Sequence, residues 1–158
     1  MAAESTPTYR FGDLVALARL SWVSEMTIRL ERLGHRGFRR GDAAAMRVLW
    51  RGPLPVGRLG AGLGVTRQAA RKIADALEQR GYATAERDSR DTRQLNITLT
   101  PVGRDYARAV IAVTEELNQE VAARVSPAQL TAADTVLRAA LFDASARERA
   151  SQLPPPAG

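Results

Sequence analysis

The sequence predicts a mainly α fold with a small β-wing: a winged helix-turn-helix lobe plus a helical dimerisation region, with about six helices and a two- to three-stranded hairpin sheet. Three observations carry this expectation. Residues 66–80 form a helical pattern whose apolar and polar residues sort onto opposite faces, closed by Gly81. Directly after it the period changes, and 82–87 and 94–100 read as two strands flanking a polar tip. Long helical patterns with wide apolar coverage stand at both ends of the chain.

Taken in order, residues 1–10 are small and polar and read as a frayed tail. From Phe11 to Leu33 the residues Leu14, Val15, Leu17, Ala18, Trp22, Val23, Met26, Leu30 and Leu33 give a helix with more than one apolar stripe. Such a helix buries more than one side, within its own core and against a second subunit. Asp42 is positioned to cap a short helix over 43–51 whose core side is Met46, Leu49 and Trp50. Gly52-Pro53 breaks the chain.

Residues 55–63 have helical spacing at Val56, Leu59 and Leu63, and Pro55 suits a first helical turn. Gly57, Gly60 and Gly62 each lower helix stability by roughly 1 kcal/mol against alanine. They serve either close packing or a lobe that is easily displaced. No G-K-[ST] ending and no G-x-G-x-x-G after a strand is present, which argues against a nucleotide site. A short helix, a turn at Gly64 and the 66–80 helix make a helix-turn-helix.

Thr66 is the N-cap candidate of that second helix. Its polar face begins with Arg67, Gln68, Arg71 and Lys72, and Asp75 and Glu78 follow. A helix tuned for its own stability carries acids first and bases last. The inverted order fits an external anion, and the residue types fit a DNA major groove, where Arg reads guanine and Gln reads adenine. A solvated amphipathic helix is the alternative. At the tip, Arg90 and Arg93 either reach a minor groove or its phosphates, or pair with Asp88 and Asp91 in a solvated loop. In the second strand Leu95, Ile97 and Leu99 point inward.

Thr100-Pro101 opens a helix running to about Arg124. Ser126-Pro127-Ala128-Gln129 is a capping box that opens a last helix with an aliphatic face, Leu130 to Leu141. From Asp143 the chain is polar and ends in prolines, the pattern of a disordered tail. The expected organisation is one domain over 1–158. In it 11–33 and 101–142 form the helical dimerisation region, 42–100 the lobe, and 1–10 and 143–158 the tails.

Composition narrows the function classes. The 158 residues carry a net charge of +6, and all but one of the 23 basic residues are arginine, the exception being Lys72. Residues 29–72 hold eleven bases and two acids, whereas 115–158 hold four bases and six acids. This places a polyanion-binding surface in the middle of the chain. Zero cysteines exclude disulfides, thiolate metal sites and thiol redox switches, and the single His35 excludes a histidine-rich metal site. No cofactor is implied. No apolar run reaches membrane-span length and no signal pattern opens the chain, so a cytoplasmic protein without membrane partners is expected. No nucleophile–base pair, paired acids or metal cluster suggests an enzyme.

The run Val65-Thr66-Arg67-Gln68 through Leu77-Glu78-Gln79-Arg80-Gly81, the Asp88-x-Arg90-Asp91-x-Arg93 tip, and Leu99-Thr100-Pro101-x-Gly103-Arg104 resemble the MarR family of winged helix-turn-helix regulators. The closing Ser-Pro-x-Gln-Leu helix is similar to that family's C-terminal end, so the resemblance covers about 11–142. It implies a homodimer held by the first and last helices on double-stranded DNA, at a pseudo-palindromic operator. Residues 66–80 are then the recognition helix and 88–93 the wing tip. It also implies a repressor released by a small aromatic or phenolic effector, for which Trp22, Met26, Met46 and Trp50 are candidate pocket residues, although residues of this kind at helical spacing are more often ordinary core. The alternatives are a winged-helix protein-interaction module and an activator without a ligand.

Overall fold

Side-chain caps open four of the seven helices in the computed structural model, which describes residues 10–87, 94–151 and 153. The chain divides into two compact units, 1–40 and 41–158. The first is a single helix, α1 (Phe11–Arg32), with Asp13 in its first turn and Arg29 and Arg32 in its last, the order that complements a helix dipole.

The second unit holds everything else. It runs α2 (Asp42–Trp50), β1 (Leu54–Pro55), α3 (Val56–Leu63), α4 (Arg67–Gln79), β2 (Ala83–Arg87), β3 (Leu95–Leu99), α5 (Pro101–Ala122), α6 (Pro127–Ala139) and α7 (Ala144–Ser151). Three of the anticipated caps form. Thr66 Oγ1 accepts from the Ala69 amide at 3.2 Å and Thr100 Oγ1 from the Gly103 amide at 2.9 Å. Ser126 and Gln129 make the reciprocal capping box, at 3.3 and 2.8 Å. Gly64 (φ 64°) makes the helix-turn-helix turn and Gly81 (φ 73°) the exit from α4, left-handed conformations that strain other residues.

The sheet is antiparallel, in the order β1-β3-β2. β2 and β3 pair from Ala83 opposite Leu99 to Arg87 opposite Leu95, and Leu54 lies opposite Ile97 on the other edge. Ile97 is fully buried and Leu99 nearly so, and they share the core with Met46, Leu49, Leu59, Ala70, Leu77 and Tyr106. No helix among the described residues is long and apolar enough to cross a membrane.

Three sequence-based expectations need correction. Pro55 does not lie in a first helical turn; it is the extended N-cap of α3 and pairs with Asn96 in the sheet. Having no N–H to donate, it suits this edge position. Asp42 is the first residue of α2 and not its cap: the N-cap is Gly41, with no side-chain cap hydrogen bond. There are seven helices among the described residues rather than about six, because 144–151 are helical and not a disordered tail. Asp143 provides the start: its Oδ1 accepts from the Ala146 amide at 2.8 Å. The Arg138 guanidinium ties the other end, donating to the Ala150 carbonyl at 2.8 Å.

The α3 glycines, whose role the sequence leaves open between packing and mobility, include two packing residues. A methyl at Gly60 would stand 3.1 Å from the Val65 carbonyl oxygen and 3.3 Å from the Ala70 Cβ, and one at Gly62 3.2 Å from a Val48 methyl. Neither the turn backbone nor a stub like Ala70 can swing aside. Gly57 faces open space. Gly60→Ala therefore loses stability by about 1 kcal/mol, overpacking outweighing the helix-propensity gain, whereas Gly57→Ala gains up to about 0.5–1 kcal/mol. Urea denaturation of the two variants checks the opposite signs.

Candidate nucleic-acid interface

The helix-turn-helix is built so that α4 buries one face and presents the other. Ala70, Ala74 and Leu77 are buried, and Arg67, Gln68, Arg71 and Lys72 are exposed along the first two turns. The four side chains stand on one face because their positions fall within about half a turn at 100° per residue. α4 has no acid in its first turn, so the positive end of the helix dipole and three cations lie together, an arrangement that suits a polyanion. Arg71 Nε meets Asp75 Oδ1 at 2.8 Å, with both side chains over 40 % exposed. An exposed pair of this kind is worth well under about 1 kcal/mol, so it holds Arg71 only loosely.

Thr66 sits at the head of this face as its cap. The structure thus brings together five of the seven sequence-predicted DNA-binding residues. The other two, Arg90 and Arg93, lie outside the described residues. β2 ends at Arg87 and β3 begins at Leu95, so the segment holding both arginines joins the two strands.

The candidate effector residues are shared between two helices. Trp22 and Met26 stand one turn apart on α1, and Met46 and Trp50 one turn apart on α2. Met46 is fully buried and packs as core, whereas Trp50 is partly exposed, with the Arg108 guanidinium 5.9 Å over its ring. Among the described residues no group of three or more His, Asp or Glu could hold a metal ion.

Two features near α4 were not legible from local pattern. The first is a cleft of about 950 Å³ beside the α3–α4 turn, lined by Arg58, Gly64, Thr66 and Ala69 on one side and by Ser145, Glu148 and Arg149 of α7 on the other. The Arg149 guanidinium lies where a side chain at 64 would project, so a substitution there displaces it as well as straining the left-handed backbone. Its guanidinium supplies a cation near the C-terminal end of α3, whose last turn has none.

The second is a buried polar cluster at the C-terminal end of α4. Arg80, the C-cap of α4, donates from Nη1 to both oxygens of Asp42 at 3.1 and 3.0 Å. The Tyr106 hydroxyl of α5 donates to Asp42 Oδ2 at 2.6 Å. Tyr106 stacks on Tyr82 with ring centroids 4.3 Å apart, and Arg80 lies over the Tyr82 ring at 4.8 Å. Burial, and then the hydrogen bond to and charge of Asp42, push the Tyr106 phenol well above its ordinary range. The Arg80 guanidinium is raised as well: burial opposes its charge, but Asp42 and then Tyr106 more than offset this.

The Tyr106 shift has a consequence at high pH. The folded protein keeps a phenol proton that the unfolded chain releases above its reference value of 10.0. This contribution to stability is complete below about pH 10 and shrinks as pH rises beyond it. Tyr106→Phe flattens that alkaline fall, a difference measured by urea melts of both proteins between about pH 9 and 11.

The geometry described so far, a three-stranded wing beside a two-helix reader within a helical frame, has close counterparts in solved structures. The S. aureus MepR–DNA complex superposes with a TM-score of 0.70 at 19% identity, covering 84% of this chain and 99% of that one. E. coli MarR in its apo form gives 0.60 at 16% identity, covering 85% and 99%. The chain has the MarR fold. Bordetella bronchiseptica BpsR, solved in work on how 6-hydroxynicotinic acid regulates its DNA binding, gives 0.67 at 17% identity, covering 89% and 99%. No protein-family model and no curated protein sequence matches the chain. On the MarR fold of this chain, α3 and α4 are the helix-turn-helix and β2–β3 the wing.

Proposed function

We propose that this chain is a sequence-specific DNA-binding transcriptional regulator. It acts as a homodimeric repressor on a two-half-site operator and is released by a small aromatic effector. The observation that carries this reading is the inverted charge order of α4, with Arg67, Gln68, Arg71 and Lys72 exposed on the DNA-facing helix of a MarR fold. The solved MepR structure contains DNA and BpsR responds to 6-hydroxynicotinic acid, which supports the same two activities here.

The dimer part of the proposal has its own support. No residue of α6 is buried in the single chain, and Leu137 is 49% exposed, next to an equally exposed Val136. In α1, Leu14, Leu17 and Leu20 are exposed too. A capped helix that buries none of its apolar residues gains little from its own chain, and a second copy covers them. The charge change Leu137→Asp, at a site the single chain leaves open, therefore converts dimer to monomer without unfolding. Sedimentation shows the mass and circular dichroism the fold. A variant that remains a dimer removes α6 from the interface.

The function itself is tested by selecting ligands from a random duplex pool, then measuring fluorescence anisotropy on the selected sequence. Affinity for the selected duplex falls at least tenfold between about 50 and 200 mM salt, as cations displace counterions from the phosphates. Salt-independent binding, or no enrichment of any sequence, excludes the regulator and leaves a protein-contact module.

A further inference from the structure

The cluster behind the recognition helix joins three elements that are far apart in sequence. Asp42 opens α2, Arg80 closes α4, and Tyr106 lies in the second turn of α5. Its ionic pair is largely buried, with side-chain exposures of 7% for Asp42 and 16% for Arg80, and Tyr106 is fully buried. The same junction is tied through the backbone. Thr100 Oγ1 donates to the Gly81 carbonyl at 2.6 Å, and the Thr100 amide to the Tyr82 carbonyl at 3.1 Å. Gly103 of α5 lies so close to the Tyr82 carbonyl that a methyl there would collide with it.

We propose that Asp42, Arg80 and Tyr106 are positioning residues for operator binding: they latch the C-terminal end of the recognition helix to α5 and so fix its angle to the helical frame. None of the three lies on the exposed face of α4's first two turns, so none touches DNA in this reading. Arg80 is a cation at the end of a basic helix, yet its charge is spent inside the protein on both oxygens of Asp42. A hydroxyl, a fork of two hydrogen bonds and two stacked rings restrict rotation about the junction in a way that an apolar contact of equal area does not. In a dimer, the angle of each recognition helix to its α5 sets the distance between the two reading heads. The latch thereby makes the protein selective for half-site spacing. The inference rests on the dimeric regulator reading, and it replaces an easily displaced lobe with a stiff one.

The test uses the full-length protein, which has no cysteine of its own, with two introduced ones spin-labelled and an excess of unlabelled protein mixed in, so that each labelled dimer carries one labelled pair. Gln79→Cys on α4 and Asn118→Cys on α5 are exposed sites on the two elements. In the unmodified background the label-to-label distance distribution is narrow. In Tyr106→Phe, and more so in Arg80→Met, it broadens at least about twofold. On the selected two-half-site duplex, Tyr106→Phe binds about 5–10-fold more weakly, as expected when a pre-organised arrangement is loosened. It binds a single half-site duplex within about twofold of wild type and tolerates a one-base-pair change in spacing better.

Tyr106→Phe lacks only a hydroxyl and keeps the reading available should Arg80→Met fail to fold. Unchanged label distributions in the folded variants overturn the latch. Equal losses on one and two half-sites overturn its role in spacing, since they mean general damage to the lobe. Wild-type protein that gains nothing from a second half-site overturns the dimeric reading beneath it, a result read separately from the label widths.

Discussion

Asp42→Ala lowers the unfolding free energy by about 3–5 kcal/mol. The size follows from what the substitution leaves behind. Arg80 keeps its charge in a pocket that exposes only 16% of its side chain, and the fully buried Tyr106 hydroxyl loses its acceptor. Removing one member of a buried pair costs far more than the pair itself contributes, because the remaining charge stays desolvated without its opposite charge. Against a total stability of about 5–15 kcal/mol for a domain, this shifts the thermal midpoint by about 10 °C or more. Asp105→Ala is the control: it breaks an ion pair with Arg108 that is 66% exposed on both sides and costs less than about 0.5 kcal/mol. The double variant Asp42→Ala, Arg80→Met recovers part of the loss, since it takes away the stranded charge. Urea melts with an unchanged slope measure all three. A loss of under about 1 kcal/mol for Asp42→Ala means water reaches the cluster, and the latch then has no basis.

The features legible in the sequence are those written in neighbouring residues. The cap at Thr66 needs only the amide three positions on, the box at Ser126 only Gln129, and the stop at Gly81 only its own φ. The exposed face of α4 follows from the 100° period, which is why five of the proposed contact residues were found where the pattern placed them. The features that were missed are settled by distant partners. Asp42 looks like a cap until Arg80 and Tyr106 arrive from 38 and 64 residues away. Pro55 looks like a first helical turn until β3 offers Asn96 to pair with. The glycines at 60 and 62 look like weak points until the α3–α4 turn and Val48 close on them. The helix at 144–151 has almost no apolar period, and its supports, Asp143 and Arg138, act through polar side chains.

Arg71→Ala weakens binding to the selected operator by about 5–150-fold, or roughly 1–3 kcal/mol, and relaxes the preference at one base pair of each half-site. In the free protein Arg71 rests on Asp75, an exposed contact that costs little to break. Moving from Asp75 to the edge of a guanine exchanges a weak single contact for two hydrogen bonds in a dry groove. Lys72 sits on the same exposed face, but its ammonium is a point charge, suited to a phosphate and not to a base edge. Lys72→Ala therefore lowers affinity for selected and unrelated duplexes alike and reduces the salt slope by about one unit. Asp75→Asn tests the resting contact from the other side. It frees Arg71 and removes a negative charge that faces the phosphates, so it strengthens binding to all duplexes by a few-fold. Anisotropy at one fixed salt concentration compares the three variants on the selected sequence and on its single-base-pair changes. If Arg71→Ala keeps wild-type affinity and base preference, Arg71 belongs to Asp75 alone, and α4 reads its operator with Arg67 and Gln68.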